Sequence, residues 1–125
     1  MSIVNLHLQR LQEKYAGASL QALGNGATLI VVPGVALPDG WNRHSTTVYF
    51  LAPVGYPMAQ PDCFWTDADL RLQHGGVPKN AQQQSLPNGA LPALWFSWHP
   101  NGWNPNKDDL RTYVRVIEDR LQRPE

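Results

Sequence analysis

The chain has almost no cysteine, no excess of charge and no long apolar segment, and each absence excludes a class of protein. Its single cysteine, Cys63, rules out a disulfide within the chain and fits a reducing compartment. Lysine and arginine number ten, as do aspartate and glutamate, so no net field attracts nucleic acid or an anionic membrane. Apolar runs such as residues 29–32 are far too short to cross a bilayer.

The remaining composition is that of a small folded domain with many loops. The apolar fraction of 42% supports a packed core, and 125 residues suit a single domain, residues 1–125. Eleven prolines and ten glycines predict short strands joined by fixed turns. The first residues lack the basic start and apolar stretch of a secretory signal peptide, so we expect a cytoplasmic protein.

One amphipathic helix is predicted at each end of the chain. The first covers residues 4–15, with Gly17 as its C-terminal cap. The second has its apolar face over residues 110–121, and Asn106 followed by Asp109 three residues later resembles the capping box at its start. The positions that form the apolar faces of the two helices are Val4, Leu8, Leu11 and Tyr15 in the first and Leu110, Val114, Ile117 and Leu121 in the second.

Between the helices, the pattern predicts three or four antiparallel strands and then a long loop. The strand candidates are residues 20–23, 28–32, 46–51 and 63–66. Pro33-Gly34 is expected to end the second of them. Residues 67–94 show no periodicity and many turn formers, which is typical of an irregular loop. The predicted fold class is therefore α+β: N-terminal helix, antiparallel sheet of three to four strands, long irregular loop, C-terminal helix.

This order of elements is the one found in ubiquitin-conjugating (UBC) domains, and short motifs add to the resemblance. Tyr56-Pro57 and Pro61 follow the strongest predicted strand, as in the UBC signature. Trp103-Asn104-Pro105 resembles the Trp-x-Pro that precedes the helix after the UBC catalytic loop. Over roughly residues 34–121, the chain is similar to the bacterial group called prokaryotic UBC-like family E. The matching pieces are Leu37-Pro38-x-Gly40, Gly55-Tyr56-Pro57, Pro61-Asp62-x-Phe64, Ser97 and His99 among tryptophans, and Asp109-Leu110.

The resemblance implies a role in a conjugation or carrier pathway for a ubiquitin-like protein. Family members are often encoded beside an activating-type adenylating enzyme, a ubiquitin-like protein and a JAB-type peptidase, so these are the implied partners. The alternative role is a non-catalytic scaffold, which keeps the fold and binds the activating enzyme or the ubiquitin-like protein. Nucleic acid and membranes are not expected as partners.

Ser97 is the candidate nucleophile because no cysteine stands at the expected place. UBC domains carry their catalytic cysteine several residues before the tryptophan of Trp-x-Pro, and here that region holds Ser97. A serine hydroxyl needs an adjacent base, and His99 is two residues away. The carrier bond would then be an oxyester. In the plainer interpretation, Ser97 bonds to the backbone of a turn and His99 only packs against its neighbours.

Two further residues compete for catalytic roles. His99-Pro100-Asn101 imitates the UBC tripeptide whose asparagine stabilises the oxyanion, although here it follows the candidate nucleophile, and Asn101 is the candidate donor. Cys63 is the rival nucleophile, but its aromatic neighbours predict a buried structural position. The histidines and Cys63 show no metal-binding spacing, and no glycine-rich segment has a phosphate-loop pattern, so neither metal nor cofactor is predicted.

Overall fold

A computed structural model describes residues 2–89 and 92–125, in which two helices pack on one face of an antiparallel sheet. Its elements are α1 (Ile3–Gln12), β1 (Ser19–Ala22), β2 (Thr28–Ala36), β3 (Ser45–Ala52), β4 (Phe64–Thr66), β5 (Ala81–Ser85), β6 (Pro92–Phe96) and α2 (Leu110–Leu121). The strand order is β1-β2-β3-β4-β6-β5. Within these residues, neither helix is long and apolar enough to cross a membrane.

The α+β class is confirmed, but the sheet has six strands in the described residues rather than three or four. The two additional strands, β5 and β6, form a hairpin in which Ala81 pairs with Phe96 and Ser85 with Pro92. The prediction of an irregular loop over residues 67–94 was therefore wrong at residues 81–85 and 92–94, while positions 90–91 lie outside the described residues. β5 escaped prediction because it is an edge strand with four exposed residues, so it shows no apolar alternation.

β2 continues through Pro33-Gly34, which had been expected to end it. Val32 pairs with Val48 and Val35 with Thr46, so β2 advances three residues while β3 advances two. This extra residue is a β-bulge, and Gly34 takes the positive φ of 74° that the bulge requires. The missing N–H of Pro33 is tolerated there because the ladder is already interrupted.

The predicted apolar face of α2 is buried, whereas in α1 the prediction holds for Leu8 and Leu11 but Tyr15 lies beyond the helix. The C-terminal end of α1 and the start of α2 also differ from the prediction. α1 ends at Gln12 with Glu13 as its cap, so Gly17 lies beyond the helix in a later turn. α2 is capped by Asp109 and Thr112 rather than by Asn106 and Asp109. The Asp109 carboxylate accepts from the Thr112 N–H at 3.1 Å, and the Thr112 hydroxyl accepts from the Asp109 N–H at 3.1 Å. This reciprocal pair starts the helix three residues later than the predicted box.

The main core lies between the helices and the sheet. Its largest fully buried apolar and aromatic members include Leu11, Ile30, Phe50, Phe64, Phe96, Leu110, Tyr113 and Ile117. A smaller cluster covers the opposite face of the sheet, where Trp65, Leu86 and Ala93 are buried. The chain segments that precede β4 and follow β6 carry the candidate site.

A buried histidine makes the stability of this fold depend on pH. His7 is 5% exposed, and its Nδ1 lies 2.6 Å from the Tyr56 hydroxyl. Burial lowers the pKa of His7 below its ordinary 6.5, with Arg10 lowering it further and Asp109 opposing both. As the pH falls through 6.5, the unfolded chain binds a proton before the folded chain does. We therefore expect the free energy of unfolding to be highest above that pH and to decrease below it.

Urea unfolding of the wild type and His7→Gln, between about pH 8 and about pH 5.5, measures this effect. The wild-type free energy of unfolding should fall more steeply, by at most about 1.4 kcal/mol per pH unit for one proton. His44→Gln is the matched control, since His44 is exposed. Parallel curves for the wild type and His7→Gln would contradict the assignment.

Candidate functional site

The candidate site lies on the segment between β6 and α2, which is held between two other segments of the chain. The Ser97 N–H donates to the Asn80 carbonyl at 2.9 Å on one side. On the other side, the Cys63 N–H donates to the Trp98 carbonyl at 2.8 Å. Tyr113 of α2 donates its hydroxyl to the same carbonyl at 3.0 Å. These bonds extend the pairing of β4, β5 and β6 beyond the strand ends and fix the segment on the C-terminal helix.

The three residues predicted for catalysis line one open depression of about 420 Å³. Ser97, His99 and Asn101 line it together with Asn80 and Trp98. Ser97 is half-buried, whereas His99 and Asn101 are exposed. The fold thus brings together the side chains that sequence reasoning selected, and it leaves them open to a ligand.

His99 is oriented by a carboxylate and not by Ser97. Its Nδ1 contacts Asp62 Oδ1, and both side chains are more than half exposed, at 59% and 54%. This contact leaves Nε2 as the ring nitrogen that Asp62 does not engage. No hydrogen bond joins Ser97 to His99 in residues 2–89 and 92–125, while the Ser97 side chain interacts with the Cys63 thiol.

The expectation that Cys63 is a buried core residue was wrong. Cys63 is half-buried, precedes β4, and adopts a left-handed φ of 67° that is uncommon for a side chain of this kind. Its thiol donates to Asp62 Oδ1 at 3.7 Å. Burial raises the pKa of the Cys63 thiol, and the Asp62 carboxylate raises it further, whereas the backbone at Trp98 and the Ser97 side chain lower it.

Two residues of the site were missed as functional candidates. Asp62 entered the sequence analysis only as part of a family motif, since nothing in its neighbourhood indicates that a histidine 37 positions later will contact it. Asn80 stood in a region predicted to be loop. Its positive φ of 62°, which asparagine tolerates better than most residues, is visible only in the structure.

Two motif pieces that are distant in sequence meet below the site. Trp103 donates its indole N–H to the Pro57 carbonyl at 2.8 Å, and its ring lies 6.3 Å from that of Tyr56. These contacts fasten the segment before α2 to the Tyr-Pro loop. Trp95, Trp98 and Trp103 are all half-buried.

The fold and site together define a class: an α+β domain of helix, antiparallel sheet and helix, with a polar depression between the last strand and the C-terminal helix. A family model described as prokaryotic E2 family E matches residues 9–124, and the chain belongs to this family. This confirms the resemblance drawn from the motifs. Comparison with curated proteins and with solved structures found no match. Family membership points to a role in ubiquitin-like conjugation.

Proposed function

We propose that this chain is a carrier in a ubiquitin-like conjugation pathway and that Ser97 accepts the activated C-terminus of the ubiquitin-like protein as an oxyester. The supporting observation is the shared depression, which holds Ser97, His99 and Asn101 on the segment before α2. The proposed partners are a ubiquitin-like protein, an activating-type adenylating enzyme and a JAB-type peptidase.

The proposed step is an acyl transfer from a thioester on the activating enzyme. Ser97 Oγ attacks the carbonyl carbon, a carbon–oxygen bond forms, and the carbon–sulfur bond to the activating enzyme breaks. His99 takes the hydroxyl proton and returns it to the departing thiolate. Asn101 donates its amide N–H to the oxyanion of the tetrahedral intermediate. The exposure of His99 and Asn101 leaves room for an extended C-terminal tail.

The step requires one rearrangement of the resting site. The Ser97 hydroxyl must turn from Cys63 toward His99 Nε2, the nitrogen that the Asp62 contact leaves free. In unliganded sites, the hydrogen bond between nucleophile and base is often long and forms only when substrate binds. The Asp62 contact favours this change because it already orients the imidazole.

A non-catalytic scaffold is the second candidate function. It is favoured by the resting contact of Ser97, whose side chain interacts with Cys63 rather than with His99. In this role the domain would bind the activating enzyme or the ubiquitin-like protein without forming a covalent bond.

One reconstitution separates the two functions. The chain is mixed with ATP, a ubiquitin-like protein and an activating-type adenylating enzyme that acts on it, and the intact mass of the chain is measured. We expect an adduct that survives reducing agent and is cleaved by hydroxylamine. An adduct lost to reducing agent would assign the bond to Cys63 instead. No adduct, together with measurable binding to either partner, would exclude the carrier step and support the scaffold.

A further inference from the structure

We infer that Asp62, Cys63 and His99 form a binding site for a thiophilic divalent cation, of which Zn²⁺ fits best. A carboxylate oxygen, a thiol sulfur and an imidazole nitrogen converge here from two segments of the chain. The three ligand atoms all lie within 4.8 Å of one another. Ion binding at this site does not depend on the proposed carrier function.

One separation already matches a tetrahedral site, and the contact between His99 and Asp62 must open to admit an ion. Zinc bonds of about 2.0–2.3 Å to oxygen, nitrogen and sulfur place neighbouring ligands about 3.5 Å apart. Cys63 Sγ and Asp62 Oδ1 are already 3.7 Å apart. His99 Nδ1 contacts the same carboxylate oxygen, and an ion between them would replace this contact with two metal bonds. The Asp62 and His99 side chains are exposed enough to make that adjustment.

The backbone explains how two adjacent residues can serve one site. Neighbouring side chains on an extended strand point to opposite faces. The left-handed conformation of Cys63 interrupts this alternation, so its thiol and the Asp62 carboxylate meet. The bond from the Cys63 N–H to the Trp98 carbonyl then holds this pair beside His99, and the Tyr113 hydroxyl supports the same carbonyl. Backbone hydrogen bonding therefore holds Cys63 itself and the peptide bond that precedes His99.

The charges of the site suit a cation. In the described part of the chain, no lysine or arginine pairs with Asp62, whose one ionic partner is His99. A divalent ion would balance the carboxylate and convert the thiol to a thiolate. Sulfur and nitrogen ligands select Zn²⁺ or a similar ion over Ca²⁺ and Mg²⁺, which prefer oxygen. Three protein ligands leave a fourth position open to water or a ligand, and the Ser97 side chain lies next to the sulfur.

An ion at this site would prevent the oxyester step, a consequence that rests on the proposed function. An imidazole bound to a metal cannot take the proton of Ser97. A bound ion and the oxyester step would therefore exclude each other, and the ion would keep the site inactive. A failure of the adduct assay leaves the ion site unaffected, because ion binding is measured without any partner protein.

The test titrates the purified full chain with CoCl₂ and follows the thiolate-to-cobalt charge-transfer absorption, with ZnCl₂ then added to displace the cobalt. We expect one cobalt per chain. Cys63→Ser should remove the charge-transfer band. His99→Ala and Asp62→Asn should weaken cobalt binding by at least about 10–100-fold, and Ser97→Ala by about tenfold. His44→Ala, which removes an exposed histidine elsewhere, should bind cobalt like the wild type.

Absence of the band in the folded wild type would overturn the inference, as would a band of equal affinity in His99→Ala or Asp62→Asn. Circular dichroism checks that each variant is folded. His99→Gln and Asp62→Ala serve as second variants if the first of either pair does not fold.

Discussion

Replacing Ser97 with alanine is expected to abolish the hydroxylamine-sensitive adduct with the ubiquitin-like protein. The variant removes the oxygen that would form the ester, so the loss should be about a thousandfold or more. Ser97 is half-buried and its backbone N–H bonds to Asn80, a contact that alanine keeps. The variant should therefore fold normally, and the loss should be chemical. Intact mass spectrometry over a time course measures it.

The neighbouring variants test the roles proposed for the rest of the depression. His99→Ala should slow adduct formation by about 10²–10⁴-fold through loss of the base. Asn101→Ala should slow it by about 10²–10³-fold through loss of an oxyanion donor. Both residues are exposed, so neither variant should change the melting temperature much.

Two controls make the assignment to Ser97 specific. Ser85→Ala changes an exposed serine at the end of β5 and should form the adduct at the wild-type rate. Cys63→Ala should retain the adduct under the oxyester proposal. An adduct that persists in Ser97→Ala and disappears in Cys63→Ala would identify the thiol as the acceptor and refute the role of Ser97.

Replacing Arg120 with methionine is expected to cause a large loss of stability. Arg120 is 2% exposed, and its guanidinium donates to three backbone carbonyls, those of Arg123, Lys79 and Glu125, at 2.8, 3.0 and 2.8 Å. The guanidinium also lies 5.4 Å from the Phe96 ring and 5.5 Å from the Trp98 ring. Removal would take away these three hydrogen bonds and the cation over Phe96, while Arg123 would still lie over the Trp98 ring. The expected cost is about 2–4 kcal/mol.

Urea unfolding measures this cost, and Arg115→Met is the matched control because Arg115 is exposed on the same helix. The control should change the free energy of unfolding by less than about 0.5 kcal/mol. Arg120→Lys should recover only part of the loss, since an ammonium group lacks the planar fork that reaches several carbonyls. Equal effects of Arg120→Met and Arg115→Met would show that the buried network contributes nothing.

The Arg120 network also links stability to the site. Lys79, whose carbonyl accepts from Arg120, directly precedes Asn80, and Asn80 accepts from the Ser97 N–H. Arg120→Met should therefore loosen one wall of the depression. Amide hydrogen exchange at Ser97 reports this change: faster exchange is expected in Arg120→Met and unchanged exchange in Arg115→Met.

The sequence alone determined the elements whose side chains repeat with a clear period. The apolar face of α2, which includes Leu110, Val114 and Ile117, could be read at a spacing of three and four residues because one stripe of the helix is buried. β3 was visible because its buried and half-buried positions alternate. The family could also be predicted, because the motifs around Tyr56 and Trp103 are short and contiguous in the sequence.

Only half of the residues of the site could be predicted from the sequence, because the other half lie far away along the chain. Ser97, His99 and Asn101 stand within five positions, so local reading could group them. Asp62, Cys63 and Asn80 reach them through the pairing of β4 and β5 with β6 and through bonds to the Trp98 and Asn80 carbonyls. β5 carries no periodic pattern, and no spacing rule connects position 62 with position 99. The two aromatic neighbours of Cys63 predicted a core position. Its left-handed backbone instead places the thiol near His99, and this conformation depends on tertiary packing rather than on neighbours in sequence.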